Sequence, residues 1–364
     1  MTETLPKAQR AWVLRRTGKP RDVLQLEEDY QIPVPKNSQI LIKVHAVALN
    51  PGGWKAFSVP PLSFVHKTPA VPEFDFSGVI AGGTLDGTGY VMGQEVFGIS
   101  PFEGPNGVMK VGQGALAQYT VAEPATFVAK PSNITHVEAA AFPIAGLTAF
   151  VSLVNHGGLK LGDGKRIFVN GGSGGIGSWA VQIAKAYGAY VVTTCSPESQ
   201  SFVNSLGADG TIDYRSVQPS LSAHLASAYS TSKFDLFFDT VGTDVSALYA
   251  ASPSYLKPDG IYLDIAGAAH IMDSVYSALT TILGMINRTL RPTFLGGTPR
   301  KYLPITFWAT SMTNELKESA ELLASGKIKA PIDHIYAFED ALQGYDRQMS
   351  GRSKGKLIIS VSLP

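Results

Sequence analysis

The run 169-VNGGSGGIGSWAVQIAKAYGAYVVTTCSP-197 decides how the chain reads. Gly172, Gly174 and Gly177 fit the spacing GxGxxG, directly after the apolar stretch Ile167-FVN. They directly precede a helical pattern whose Ile176, Ala180, Ile183, Ala184 and Tyr187 share one face. In such a turn the first glycine permits the bend, the second lets the backbone approach a pyrophosphate, and the third lets helix pack on strand. Amides at the helix start, from Ser173 through Gly175 and Ile176, then hold the phosphates. An ordinary glycine-rich turn is the alternative, and a strand-to-helix junction argues against it.

The next β-like run ends in Thr194-Cys195-Ser196. Sites that prefer NAD carry a carboxylate there, about 20 residues past the loop, bonded to the adenosine ribose. The hydroxyls of Ser196 and Ser199 tolerate a 2′-phosphate that an acid repels, so the reading leans to NADPH over NADH. Two features pull the other way: Glu198 is close enough to act as a displaced acid, and the turn from Ser196 to Gln200 holds no Lys or Arg. Tyr214 and Arg215, after the next short strand, offer an aromatic hydroxyl and a cation. Cys195 reads as a small buried apolar residue rather than a redox thiol.

Working outward, 30 Lys and Arg against 29 Asp and Glu predict no attraction to nucleic acid or anionic membrane, which leaves a small molecule as the partner. A single cysteine excludes an internal disulfide and a Cys-rich zinc site. The first residues lack the apolar core of a signal peptide. The longest uncharged run, Ala139 to Val154, is short for a membrane span and is broken by Pro143 and Gly146, so a soluble, cytoplasmic protein is expected. From Trp12 to Phe127 short β-like runs alternate with Pro, Gly and Asn, as in an all-β domain. From Arg166 strands alternate with helices, which predicts an α/β, doubly wound parallel sheet covered on both faces. After Pro299 the pattern changes again, ending in the strand Lys356-LIISVSL. The predicted division is 1–127, completed by 300–364, and 128–299.

Over almost its whole length the chain resembles the medium-chain dehydrogenase/reductase superfamily. Val47-ALNPGGWK, Phe74-DFSGVI, Gly93-QEVFG, Gly114-ALAQYTV, Ala140-AFPIAGLTA and Gly351-RSKGKLII are similar to its zinc-independent quinone oxidoreductase branch. Thr194-CSPES and Ile212-DYR are also similar to the stand-alone enoyl reductases that serve fungal polyketide synthases. The resemblance implies a GroES-like β-rich catalytic domain and a Rossmann domain for NADP(H). Where zinc-dependent members carry Gly-His-Glu, this chain has Phe74-Asp75-Phe76. Its seven histidines form no paired motif, so no metal is expected.

Without zinc, reducing a carbonyl to an alcohol is hard. Hydride addition to an alkene conjugated to a carbonyl needs only a well-placed nicotinamide, a donor near the developing enolate oxygen, and a proton source; quinones accept hydride by similar geometry. The resemblance places Lys55, in Asn50-PGGWK, near the nicotinamide ribose, where it orients the ribose, donates to the enolate oxygen or relays a proton. A solvated surface lysine is the competing reading. Asn50 positions the same loop, and Gly52 lies within it. Asp75 matches an aspartate near the pocket of relatives, with a turn-capping acid as an equal alternative. Thr148 resembles the residue that approaches the nicotinamide carboxamide. Val241, Gly242 and Ala266 stand at strand carboxyl ends, where such sheets bind ligands. Tyr119, Tyr302 and Trp308 read as core aromatics before pocket ones. The chain departs from its relatives at Gln94-Glu95 and at Trp54, whose ring narrows the pocket or stacks on a planar substrate.

The predicted activity is an NADPH-dependent reductase of an enone, an enoyl thioester or a quinone, in secondary metabolism. The alternative is a cofactor-binding structural or regulatory protein without turnover. An acyl carrier domain is a candidate partner, and monomer and homodimer both stay open.

Overall fold

The computed structural model describes residues 5–60, 63, 68–101, 112–305 and 313–361. They fall into two compact units, Met1–Leu147 with Trp308–Pro364, and Thr148–Phe307. In the first unit β1 (Gln9–Leu14) pairs antiparallel with β2 (Leu24–Tyr30). A larger sheet is built on β3 (Ile40–Ala48), β4 (Asp75–Gly83), β5 (Glu95–Ile99), β6 (Tyr119–Ala122) and β7 (Phe127–Ala129). Along β3 only Lys43 and His45 are not buried, the alternation of a strand with one side toward a core. Phe76, Phe97, Phe127 and Phe142 fill that core. The helix His136–Ala140 packs on β3, β4 and β5 and opens with a reciprocal cap between Thr135 and Glu138. It belongs to this unit, which is why the division falls after Leu147 rather than at 127.

The second unit holds six parallel strands: β8 (Arg166–Asn170), β9 (Tyr190–Cys195), β10 (Gly210–Asp213), β11 (Phe234–Asp239), β12 (Leu256–Asp264) and β13 (Lys301–Pro304). Their order, β10-β9-β8-β11-β12-β13, is the doubly wound 3-2-1-4-5-6 arrangement, with its switch point beside β8. An aromatic row crosses the sheet in register: Phe168 opposite Phe237, Phe237 opposite Tyr262, Tyr262 opposite Tyr302. Ring centroids along it stand 4.9, 4.5 and 5.9 Å apart. Tyr302 is therefore a core residue, as is Tyr119, packed with Leu41 and Val121; Trp308 lies outside the described residues. The chain then returns to the first unit as β14 (Ile332–Ala337) and β15 (Lys356–Ser360). β15 runs antiparallel to β3 and parallel to β14.

Candidate active site

In the parallel-sheet unit the glycine loop is stitched to both neighbouring strands. Gly171 N donates to Thr194 Oγ1 (2.8 Å), that hydroxyl donates to Asn170 Oδ1 (2.7 Å), and Asn170 Nδ2 donates to Asp239 Oδ1 (3.0 Å). A methyl group on Gly172 would strike Thr193 Oγ1, and one on Gly177 would strike the Gly171 carbonyl oxygen. On Gly174 a methyl group would make only an ordinary contact, 3.5 Å from the Gly171 carbonyl oxygen, so packing within the loop does not itself demand this glycine. Gly174 is also the N-cap of the helix Gly175–Ala186 and makes no side-chain cap. Among the described residues no N-cap side chain meets the first-turn amides, which include those of Gly175 and Ile176, at the positive end of a twelve-residue helix, an arrangement suited to an anion.

At the end of β9, Ser196 and Ser199 face each other with hydroxyls 3.3 Å apart. Arg215 donates to Glu198 Oε1 (2.8 Å) and lies 5.7 Å from the ring of exposed Tyr214. Hydrogen bonding from Ser196, from its own amide and from Arg215 pulls Glu198 down to about 2. The displaced acid and the missing cation of the sequence are one ion pair beside the serines.

The loops after β11 and β12 hang on buried carboxylates that the sequence reading did not single out. Asp239 Oδ1 accepts from the amides of Val241 (3.1 Å) and Gly242 (3.0 Å), and its Oδ2 accepts from Tyr262 (2.8 Å). Asp264 accepts from Gly267 N (3.0 Å) and from the Tyr302 hydroxyl (2.5 Å). Burial raises the Asp239 carboxyl against these bonds. Ala266 and Thr148 are buried, while Val241 is 42% exposed. A cavity of about 420 Å³ opens between the two loops, lined by Gly242, Asp264, Gly267, His270 and Arg288 among others.

In the β-rich unit, Asn50 is the N-cap and Pro51 the first residue of the helix Pro51–Ser58, an order favoured by the fixed φ of proline. Gly52 and Lys55 are half-buried on it. Beside Lys55, the indole N–H of Trp54 is buried and has no acceptor among the described residues. A polar cluster lies under the helix start. Lys356 Nζ donates to Asn50 Oδ1 (2.7 Å) and Leu49 O (3.0 Å) and stands 3.6 Å from Asp75 Oδ2. Asn50 Nδ2 donates to Asp75 Oδ2 (2.9 Å), and Asn50 N donates to Glu73 Oε2 (3.1 Å). Tyr345 donates to Glu73 Oε1 (2.9 Å). A methyl group on Gly53 would run into the Glu73 carboxylate.

Burial raises Asp75 and lowers Lys356, while their mutual attraction opposes both shifts. Burial lifts Glu73 to about 8 despite its two donors. Asp75 also acts as a capping acid, because its Oδ1 accepts Ile144 N (2.9 Å) in the first turn of the helix Pro143–Phe150. Glu73, Tyr345 and Lys356 were missed. The one signal for them was a lysine opening an otherwise apolar strand.

The departure at Glu95 has a structural role in the same unit. Its carboxylate meets Lys130 (3.1 Å) and His136 (3.2 Å), and His136 stacks on His45 with centroids 4.4 Å apart. Burial and the neighbouring His45 push His136 down to about 4. Among the described residues no group of three or more His, Cys, Asp or Glu is placed to hold a metal ion, and no helix is long and apolar enough to cross a membrane.

Residues 36–132 match the family model described as the alcohol dehydrogenase GroES-like domain, and 206–359 the one described as zinc-binding dehydrogenase. A zinc-type alcohol dehydrogenase-like protein of Schizosaccharomyces pombe is 33% identical, covering 96% of this chain and 95% of its own. A trans-enoyl reductase of Aspergillus terreus is 32% identical over 99% of this chain and 98% of its own. Among solved structures, a quinone oxidoreductase from Coxiella burnetii superposes with a TM-score of 0.76 at 26% identity, covering 97% of this chain and 99% of that one. The chain belongs to the medium-chain dehydrogenase/reductase superfamily, with its GroES-like and Rossmann domains. Within it the protein is an oxidoreductase of the NAD(P)H-using kind.

Proposed function

We propose that this protein is a zinc-independent, NADPH-dependent reductase that adds hydride to an activated alkene, either an enone or an enoyl thioester, or to a quinone. The observation that carries the reading is the uncapped helix start at Gly174 and Gly175, next to a strand that ends in serines with Arg215 at hand. Ser173, Gly174, Gly175 and Ile176 would hold the diphosphate. Ser196, Ser199, Tyr214 and Arg215 would hold a 2′-phosphate, as charge-assisted bonds from arginine favour. Val241 and Gly242 are assigned to the adenosine side, and Ala266, Thr148, Gly52 and Lys55 to the nicotinamide side.

When bound, the dinucleotide supplies the hydride. The Lys55 ammonium donates to the substrate oxygen that gains charge as the β-carbon is reduced, and the α-carbon takes a proton from Lys55 or from water. The Trp54 indole N–H offers a second donor to that oxygen. The zinc-free reading draws support from position 74, where phenylalanine has no ligand atom, and from Asp75, whose oxygens are already bonded to Ile144 N and Asn50 Nδ2. Relatives named trans-enoyl reductase and quinone oxidoreductase support the substrate classes. For an enoyl thioester, an acyl carrier domain would deliver the substrate. The buried, unpaired Cys195 agrees with work in the reducing cytoplasm.

Purified protein incubated with enones, quinones and enoyl thioesters is expected to oxidise NADPH at least about tenfold better than NADH, a preference of about 1.4 kcal/mol. Lys55→Ala is expected to lower kcat far more than it weakens dinucleotide binding. Bound NADPH with no oxidation above background would overturn the reading and leave a binding protein. Failure to bind either dinucleotide would remove its foundation.

A further inference from the structure

We propose that the outer face of the helix Val275–Leu290 is the surface through which two copies of this chain pair about a twofold axis. This helix is amphipathic in the reverse sense for a surface helix. Its inner side carries its one charge, Arg288, which donates to Ser246 Oγ (3.2 Å) and lies 4.8 Å from the Tyr302 ring centroid. Met285 is its one buried residue, and Thr281 and Gly284 beside it are half-buried. Its outer side is apolar: Leu279 is 58%, Ile282 43%, Ile286 49% and Leu290 70% exposed. Those four positions step by three and four residues, the spacing of a straight seam between two helices.

Tyr276 and Phe294 extend the patch at either end with 77% and 82% of their surface exposed. With their apolar neighbours these residues expose roughly 1,000 Å², given the 150–250 Å² of one large aromatic ring. That exceeds the largest patch of a typical monomer and matches one side of a standard protein interface.

A second copy fits this face better than a lipid surface does. Residues 274–287 contain no charged side chain, so the face meets its own image without repulsion. Helices that lie in a membrane interface carry Lys and Arg beside the apolar stripe. Here the flanking exposed residues include Asp273, Ser274, Thr280, Asn287 and Thr289, and Arg291 turns back to the Leu295 carbonyl (2.7 Å). An antiparallel pair of these helices, each about 24 Å long, brings Ile282 and Leu283 to the axis.

Sedimentation equilibrium of the full chain from about 1 to 100 µM tests the proposal, with a dimer expected. The double variant Ile282→Glu, Ile286→Glu is expected to raise the dissociation constant at least about a hundredfold, with the circular dichroism spectrum and dinucleotide affinity unchanged. Because the sole native cysteine, Cys195, is buried, Ile282→Cys adds one accessible thiol, and mild oxidation should link two chains covalently whether or not the glutamate variant folds. A wild-type monomer at 100 µM overturns the proposal, as does a dimer indifferent to both glutamates whose Ile282→Cys variant forms no cross-link. A monomer that sediments with anionic vesicles through these residues does so too, and assigns the face to lipid.

Discussion

In the β-rich unit Asp75 stands 3.6 Å from the ammonium of Lys356, while Glu73 beside it accepts from Tyr345 and the Asn50 amide. At the carboxyl edge of the parallel sheet, Asp239 and Asp264 are met by backbone amides and tyrosine hydroxyls, and the Arg288 guanidinium comes no nearer than 4.0 Å to Asp264. Each pair of buried acids positions candidate residues within its own unit. The first fixes the start of the helix that carries Lys55, using side chains from four distant segments. The second pins two loops, each to the end of its own strand. Where a formal positive charge does the neutralising, removing it strands a charge in a dry interior; where hydrogen bonds do it, a neutral isostere can keep most of them.

The sharpest way to break this contrast is Lys356→Met. It is expected to cost about 3–5 kcal/mol of stability in urea unfolding, because Asp75 is left buried without its partner. Adding Asp75→Leu should restore part of that loss. A single-variant cost below about 1 kcal/mol would show that hydrogen bonds, not the lysine, hold the first cluster.

Titration probes the first unit, where burial shifts Glu73 up and His136 down. Glu73 is raised to about 8 in the fold, so its stabilising protonated form is lost as pH climbs from the ordinary carboxylate range towards 8. His136 is lowered to about 4, so the cost of charging it accumulates as pH falls from about 6.5 to 4. Their slopes oppose each other between about pH 4.5 and 6.5, and Glu73 alone acts above that window. Stability should therefore peak below neutrality and fall by a few kcal/mol towards pH 8. Glu73→Gln should flatten the alkaline fall, which denaturant midpoints at successive pH values would show.

Isosteric amides give a smaller effect and compare the pairs directly. In Asp239→Asn the oxygen can stay on the Val241 and Gly242 amides while the new NH₂ faces Tyr262, whose hydroxyl can accept, so the expected cost is about 1 kcal/mol. In Asp75→Asn the NH₂ must face either the Ile144 amide or the Asn50 NH₂ beside Lys356, all donors. The expected cost is about 2–3 kcal/mol. Equal costs in thermal unfolding would erase the distinction.

The same contrast explains what could be read in the sequence. The glycine loop was legible because each glycine answers a constraint from within a few residues, as Gly177 does against the Gly171 carbonyl. The parallel sheet was legible because β8, β9, β11 and β12 are near-continuous apolar runs. The cluster under Lys55 was not, because Asn50, Glu73, Tyr345 and Lys356 converge only in three dimensions. Lys356 at the head of an apolar strand announces a buried charge without naming its partner. Asp239 and Asp264 looked like ordinary strand ends until the amides they accept were located. The helix Val275–Leu290 shows a stripe in its sequence, yet periodicity does not say which side of the stripe meets water.

The smallest expected effect concerns the edge of the parallel sheet, where charge is exposed. Arg215 and Glu198 are both at the surface, so their attraction is screened and their loss should leave stability unchanged. Their influence should fall on the ligand. A 2′-phosphate would have to draw Arg215 away from Glu198, while the Glu198 carboxylate, held ionised by Ser196 and Arg215, repels that phosphate. Arg215→Ala is therefore expected to weaken NADPH binding about tenfold and leave NADH within about twofold. Glu198→Gln removes the repulsion and releases the arginine, so NADPH should bind about two- to fivefold tighter with NADH again unmoved. Both shifts should shrink at high salt, because the groups lie in water. Calorimetric titration of both dinucleotides into the two variants checks this, and a change shared equally by NADPH and NADH would place the pair outside the cofactor's 2′ position.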